Sequence, residues 1–142
     1  MQISIKEAGN YFRGLLLLIR KDNEIFEKEK ALLMRLGKSF GFAPSFCTVA
    51  VSEILENTYI SDSPPLFSSK HVAKTFIKDG LIIAFCDNDF HPDEQQWLRS
   101  VAQQNGINEN WFLCEKEKIE RSLKYSTAEF DNRINKYSIN SN

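Results

Sequence analysis

Residues 14–29 read GLLLLIRKDNEIFEKE, an apolar run that passes directly into an acidic loop. The nearly continuous apolar run from Leu15 to Ile19 predicts a helix that is buried on more than one side. The pair Asp22-Asn23 predicts the end of that helix, because Asn tolerates left-handed backbone angles. A membrane span needs roughly 20 apolar residues, so this shorter run predicts a helix of a protein core.

The same order of features returns 65 residues later, where residues 79–94 read DGLIIAFCDNDFHPDE. Identical residues recur at this spacing along the chain: Ala8 and Ala73, Leu16 and Leu81, Asp22 and Asp87, Asn23 and Asn88, Glu29 and Glu94, Leu33 and Leu98, Gly41 and Gly106, Ile54 and Ile119. In each copy an amphipathic segment, a Gly and an aromatic residue follow the acidic loop. The aromatic residue is Phe46 in the first copy and Trp111 in the second. This order of features indicates an internal duplication.

Each copy is predicted to form three helices. In the first copy, the second helix runs from about Glu27 to Phe40, and Gly41 stands at the place of a C-terminal cap. The third helix begins near Ala43-Pro44, and its predicted apolar stripe consists of Phe46, Val49, Ala50 and Ile54. In the second copy, a long helix ends at Cys86-Asp87, Pro92 opens the next helix and Gly106 ends it. No segment alternates long enough to predict a strand.

We therefore predict an all-α fold, a compact bundle of six to seven helices built from two three-helix repeats about a pseudo-twofold axis. The predicted parts of this single domain are a first repeat at about 3–57, a linker at 58–70, a second repeat at about 71–124 and a polar tail at 125–142. Pro64-Pro65 stops any helix in the linker, and each repeat is too small for a core of its own. The tail is predicted either as a short seventh helix carrying Phe130 and Ile134 or as disordered after about Tyr137.

Composition indicates an ordinary globular protein, with 42% hydrophobic and 26% charged residues and a net charge of −1. Because nucleic-acid binders are usually basic, this charge predicts no nucleic-acid partner. Residues 1–6 lack the features of a signal peptide. Cys47, Cys86 and Cys114 each lie among apolar neighbours and form no CxxC pair, so we expect buried free thiols. Together these features favour the cytoplasm.

The two acidic loops are the chemically unusual feature of the chain. The first acidic loop (residues 22–29) and the second acidic loop (residues 87–94) each contain four carboxylates. A pseudo-twofold axis would bring the loops together, and crowded carboxylates repel each other unless a cation lies between them. Their hard oxygen ligands suit Ca²⁺, Mg²⁺ or Mn²⁺. The candidate ligands are Asp22, Glu24, Glu29, Asp87, Asp89 and Glu94.

Two other interpretations of the loops stay open. Asp22 and Asp87 suit Asx turns, and Glu29 and Glu94 lie near helix starts, where free N–H groups and the helix dipole favour a carboxylate. The loops could instead form a surface for a basic partner. The second loop opens like an EF-hand, but Leu98 occupies the twelfth position, which excludes that motif.

Both loops share a longer pattern, in which Asp is followed by a hydrophobic residue and then by a Glu seven residues after the Asp. The matching residues are Asp22, Ile25 and Glu29 in the first loop and Asp87, Phe90 and Glu94 in the second. This doubled pattern, over roughly residues 8–122, resembles the tellurite-resistance protein B-like (TerB-like) family. The family usually has Gly after the Asp, where this chain has Asn23 and Asn88. Because Asn takes the same backbone angles, the fold prediction is unaffected.

The resemblance implies a compact bundle of about seven helices with an acidic face suspected of binding divalent metal. It also implies work in bacterial stress response near the inner face of the membrane. A similar domain occurs on the cytoplasmic side of a membrane-anchored J-domain co-chaperone, which suggests peripheral association with a membrane protein. Tellurite resistance itself does not follow, because the domain is used in many contexts.

The sequence favours a protein that is not an enzyme, because it contains no GxSxG elbow and no phosphate-binding glycine loop. The first hypothesis is an accessory domain whose acidic loops bind a divalent cation or a basic partner. The alternatives are a purely structural protein–protein interaction domain without a ligand, and a small hydrolase that uses carboxylates. A basic stripe is also predicted on the first helix, from Lys6, Arg13, Arg20 and Lys21.

Overall fold

The computed structural model describes residues 2–22, 27–57, 59–86, 91–122 and 138–140. Over these ranges the elements are β1 (Gln2–Ser4), α1 (Ile5–Ile19), a 3-10 helix (Arg20–Asp22), α2 (Glu27–Ser39), α3 (Pro44–Glu56), α4 (Lys70–Phe85), α5 (Pro92–Gln104), α6 (Glu109–Arg121) and β2 (Ser138–Asn140). The prediction of an all-α bundle is confirmed for this part of the chain. The apolar run of the opening stretch lies at the C-terminal half of α1.

The helix ends follow from local chemistry. Ser4 caps α1 by accepting a hydrogen bond from the N–H of Glu7 (3.1 Å), and Ser69 caps α4 in the same way. Helix α2 is followed by Gly41, where φ is 84°. The N–H of Phe42 donates to the carbonyl of Gly37 in the last turn of the helix at 2.9 Å. Helix α5 ends likewise at Gly106, with φ of 70°. Both predicted glycine caps are confirmed, since only Gly adopts this conformation without strain.

The core is centred on the contact between α1 and α4. Phe76 packs against Tyr11, with ring centroids 5.2 Å apart, and against Gly14, where an added Cβ would lie 2.7 Å from the ring. Further along the pair, Leu18 lies against Gly80. At the other end of the pair, Glu7 in the first turn of α1 bonds to Ser68, which lies two residues before α4. The beginnings of α1 and α4 are therefore near each other, and Leu18 meets Gly80 in their later halves, so the two helices run in the same direction. Helices α2 and α5 pack against both of them.

The linker between α3 and α4 is fixed to the helices by hydrogen bonds. The carboxylate of Glu7 accepts from the N–H (2.7 Å) and the hydroxyl (2.8 Å) of Ser68. The side chain of Asn105 accepts from the N–H of Phe67 at 2.9 Å. These bonds join α1 and α5 through the linker, as expected for a connection inside one domain rather than between two.

Asp62 of the linker neutralises the end of the predicted basic stripe. Arg20 forms an ion pair with its carboxylate, and the Lys21 ammonium lies 2.8 Å from the second oxygen. The Trp97 indole donates to the Asp62 carbonyl at 2.8 Å. Partial burial alone would raise the pKa of Asp62, but the hydrogen bonds and charges of the two basic residues outweigh it and hold that pKa below its ordinary value.

Replacing Asp62 by Asn is expected to reduce the acid sensitivity of the fold. Because its folded pKa is depressed, the carboxylate contributes stability above its unfolded pKa, and this is lost as pH falls through the folded value, below about pH 4. The side chain is 52% exposed, so the loss at pH 7 should be at most about 1 kcal/mol. Urea unfolding between pH 7 and pH 2.5 measures it, with Glu120→Gln as control; equal acid slopes for both variants would contradict it.

Two short strands differ from the prediction. β1 and β2 pair in parallel, with Ile3 opposite Ile139, and Ile3 is buried. Three residues are too few to show an alternating pattern, so hydrophobic periodicity could not predict these strands. For the tail we had predicted a short helix or disorder, and neither alternative included a strand at residues 138–140. Phe130 and Ile134 of the predicted seventh helix lie outside the described residues.

The prediction that all three thiols are buried is wrong for Cys114. Cys47 is buried, Cys86 is partly buried and Cys114 is exposed, and none of the three forms a disulfide bond. Helix α6 buries Phe112 and Ile119, and Cys114 lies on the opposite side, two residues from Phe112. Burial raises the pKa of the Cys47 thiol, while the backbone N–H acts in the other direction. No described helix is both long and apolar enough to cross a membrane.

Candidate functional site

The six candidate ligands are only partly placed by the structure. Glu29 and Glu94 lie in the first turns of α2 and α5, and each is 1% exposed. The backbone of Asp22 closes the 3-10 helix that follows α1. Glu24, Asp87 and Asp89 lie outside the described residues. Glu29 and Glu94 occupy corresponding positions of the predicted repeat, and both are buried at helix N-termini. The helix dipole favours negative charge there.

The direction of the helices places the C-terminal ends of α1 and α4, which precede the two acidic loops, at one end of the core. The first loop follows α1 and the second follows α4, and these two helices run in the same direction. The 3-10 helix that leads into the first loop packs against α5, the helix that follows the second loop. The described flanks of the two loops therefore lie near each other.

Glu94 also serves as a helix cap. The Nδ1 atom of His91 accepts from the N–H of Asp93 at 3.1 Å, and the Glu94 carboxylate accepts from the N–H of His91 at 3.3 Å. These two bonds form a reciprocal capping box at the start of α5. The interpretation of Glu94 as a helix-start residue is confirmed.

Within the described ranges, no group of three or more His, Cys, Asp and Glu side chains is arranged to hold a metal ion. Three of the candidate ligands and the side chain of Asp22 are not covered by that description. The cation site at the acidic loops therefore stays a prediction.

A buried carboxylate that the sequence analysis missed joins α1 to α4. Asp79 is fully buried, and the hydroxyl of Tyr11 donates to its Oδ2 atom. A sequence signal did exist, because Asp79 interrupts the apolar residues of α4 directly before Gly80. A buried polar group requires hydrogen-bonding partners, and the Tyr11 hydroxyl provides one for Asp79 from the neighbouring helix.

An apolar groove of about 360 Å³ lies between α1 and α3. Its walls include Gly9, Phe12 and Leu16 of α1 and Phe46, Val49 and Ile54 of α3. Charged side chains lining the groove are Arg13 of α1 and Glu53 of α3. The groove continues an exposed apolar face of α3, on which Phe46 is 56% and Val49 is 54% exposed. We call this surface, groove and face together, the α1–α3 groove.

The predicted apolar stripe of α3 is wrong for Phe46 and Val49. Ile54 of the predicted stripe is buried, and the helix also buries Cys47 and Val51, which the stripe did not include. Cys47 packs into the space left by Gly37 of α2, where an added Cβ would lie 2.5 Å from its sulfur. Because α3 is apolar on two adjacent faces, periodicity alone could not identify the one that faces the core.

Trp111, which corresponds to Phe46 in the predicted repeat, is less exposed than Phe46. It is half-buried, and the ammonium groups of Lys74 and Lys78 lie 5.3 and 5.9 Å from its ring centroid. Such cation–π contacts shield an aromatic surface. The large uncovered ring of Phe46 therefore distinguishes the first half of the described chain from the second.

Comparison of the chain with protein-family models, curated proteins and solved structures finds no match. A function for this chain is therefore inferred from the helix ends beside the acidic loops and from the α1–α3 groove.

Proposed function

We propose that this chain is a non-enzymatic, TerB-like accessory domain whose acidic loops bind a divalent cation or a basic partner segment. One observation supports the proposal: α1 and α4 run in the same direction, so the helix ends that precede the two acidic loops lie at the same end of the core. Carboxylates from two loops at one end repel each other, and a cation between them would relieve that repulsion.

The proposal includes a pseudo-twofold relation between residues 3–57 and 71–124. Two contacts support it, because they exchange under the shift of 65 residues that relates the repeats. Tyr11 contacts Asp79, and Phe76 contacts Gly14. Tyr11 corresponds to Phe76 and Gly14 to Asp79, so the same pair of positions meets twice with the halves exchanged.

The proposed ligands divide into two groups. Asp22, Glu24, Asp87 and Asp89 would supply oxygen atoms from the loops, in the way that suits Ca²⁺, Mg²⁺ or Mn²⁺. Glu29 and Glu94 lie at the bases of the loops and would add negative charge from the first turns of α2 and α5. We further propose a cytoplasmic role in stress response, at the inner face of the membrane, as the TerB-like pattern implies.

Calorimetric titration of the chelator-treated protein with Ca²⁺, Mg²⁺, Mn²⁺ and Zn²⁺ tests the proposal. The expected result is saturable binding of at least one hard cation and a higher melting temperature in its presence. The double variant Asp22→Asn/Asp87→Asn should bind at least about tenfold more weakly, because each change removes a charged ligand.

The matched control is Glu117→Gln/Glu120→Gln, which removes the same charge from the exposed surface of α6 and should leave binding unchanged. If no ion binds, a basic peptide such as oligolysine is titrated at low and high salt. Binding of neither probe would contradict the proposal and leave the loops as helix-start residues.

A second candidate function is a protein–protein interaction domain without a small ligand, with a membrane protein among its candidate partners. The observation that favours it is the exposed apolar face of α3 beside the α1–α3 groove. A photo-crosslinking residue at position 46 should yield a discrete protein adduct in cells, whereas the same residue at position 113 of α6 should not. The absence of any adduct at position 46 would contradict this candidate.

A further inference from the structure

Four residues of α3, three of them exposed and Ala50 half-buried, are spaced like the contact seam of a paired helix. Phe46, Val49, Ala50 and Glu53 stand at positions i, i+3, i+4 and i+7, which form one stripe on a helix. All four line the α1–α3 groove. The stripe has a large ring at one end and small Ala50 at its centre, where the side chain of a second helix can pack.

Gly9 adds an independent observation from the other wall. It lies inside α1, where Gly costs roughly 0.5–1 kcal/mol relative to Ala. Nothing lies within 4 Å of a Cβ added there, so packing within the described chain does not require this Gly. It keeps the wall of the groove low, which allows another backbone to approach closely.

We propose that a second copy of this chain occupies the α1–α3 groove, with the two α3 helices antiparallel about a twofold axis. The inference rests on the second candidate function and names its partner. With the axis between Val49 and Ala50, Phe46 of each copy is level with Glu53 of the other. Each ring then covers the end of the other copy's groove, and each Val49 faces a small Ala50.

The charges of the groove favour a second copy over other occupants. Arg13 and Glu53 carry opposite charges on the two walls, so a twofold arrangement offers each Arg13 the other copy's Glu53. An anionic membrane would instead need a cluster of cations, and Asp62 already neutralises Arg20 and Lys21 at the neighbouring end of α1. The surface is thus complementary to itself in shape and in charge.

Sedimentation equilibrium of the full chain from about 1 μM to about 1 mM, a range set by the affinities of weak interfaces, tests the inference. We expect a reversible monomer–dimer equilibrium. Phe46→Asp should weaken the dimer at least about tenfold, because it removes an aromatic contact that the interface buries. Gly9→Trp should weaken it similarly by filling the groove. Leu113→Asp is the matched control, since Leu113 is an exposed apolar residue of α6, and it should leave the equilibrium unchanged.

The charge arrangement has its own test. Arg13→Glu and Glu53→Arg should each weaken the dimer, because each places like charges across the twofold axis, and the double variant should restore it. Circular dichroism and melting curves confirm that each variant is folded. Failure of the double variant to recover would overturn the antiparallel arrangement.

A chain that stays monomeric at 1 mM would overturn the inference, as would a dimer unaffected by both Phe46→Asp and Gly9→Trp. The crosslinker at position 46 separates this failure from that of the second candidate function. An adduct of twice the chain mass supports the inference. An adduct of another mass overturns the inference but still supports the second candidate function. Binding to anionic vesicles that Phe46→Asp abolishes also overturns the inference. No adduct overturns both.

Discussion

Phe76→Ala is expected to lower the free energy of unfolding by about 3–5 kcal/mol, the usual cost of deleting a fully buried ring. Phe76 is 0% exposed, and its ring centroid lies 5.2 Å from that of Tyr11, 5.0 Å from that of Phe67 and 6.3 Å from that of Trp97. The ring therefore joins α1, α4, α5 and the linker. Urea unfolding followed by circular dichroism measures the loss.

The adjoining glycine provides a sharper form of the same prediction. Gly14→Ala should cost about 1–3 kcal/mol by overpacking, because its Cβ would lie 2.7 Å from the Phe76 ring and 3.0 Å from Pro65. In the Phe76→Ala background this cost should fall, since the ring is gone. Gly9→Ala is the matched control and should stabilise the monomer by about 0.5–1 kcal/mol. Equal effects of the two glycine variants would show that the α1–α4 contact is not tight.

The elements that could be predicted from the sequence are those determined by neighbouring residues. The apolar run of α1, the start of α5 at Pro92 and the glycine caps at Gly41 and Gly106 depend on contacts within a few positions of the chain. The amphipathic pattern of α2 was sufficient for the same reason. For these helices local preference and tertiary packing agree, which is typical of natural sequences.

The features that were missed depend on distant parts of the chain. The pairing of β1 with β2 joins opposite ends of the sequence through three residues each, too few for a pattern. The inward face of α3 depends on the space that Gly37 leaves in another helix. Asp79 is buried beside Tyr11, which belongs to a different helix and donates to it. None of these partners is visible in the local sequence of the residue concerned.

In the candidate sites, too, the features determined by neighbouring residues were predicted and those determined by distant contacts were not. Glu29 and Glu94 were expected at helix starts, and the structure places both there, because the helix dipole acts over a single turn. The apolar seam on α3 was assigned to the core, because hydrophobic periodicity does not distinguish burial by the same chain from burial by another molecule. The proposed dimer accounts for the second apolar face of α3, because that face would contact another molecule rather than the core of the same chain.

Tyr11→Phe is expected to lower the free energy of unfolding by about 1.5–3 kcal/mol, in the upper part of the range for leaving a buried acceptor without its donor. The variant keeps the ring and its edge contact with Phe40, at a centroid distance of 5.6 Å. It removes only the hydroxyl that donates to Asp79, so the loss reports the polar contact rather than packing. Chemical denaturation at pH 7 measures it, and Tyr59→Phe, at a side chain that is 96% exposed, should change nothing.

A double-mutant cycle shows whether Tyr11 and Asp79 stabilise the fold as a pair. If the hydroxyl acts through the carboxylate, Tyr11→Phe should cost much less in an Asp79→Ala background, with a coupling energy of about 1.5–3 kcal/mol. Additive losses would mean that each residue is stabilised by other neighbours. The pair lies at the α1–α4 contact, which sets the relative position of the helix ends that precede the two acidic loops. Strong coupling would therefore identify a hydrogen bond on which the geometry of the proposed cation site depends.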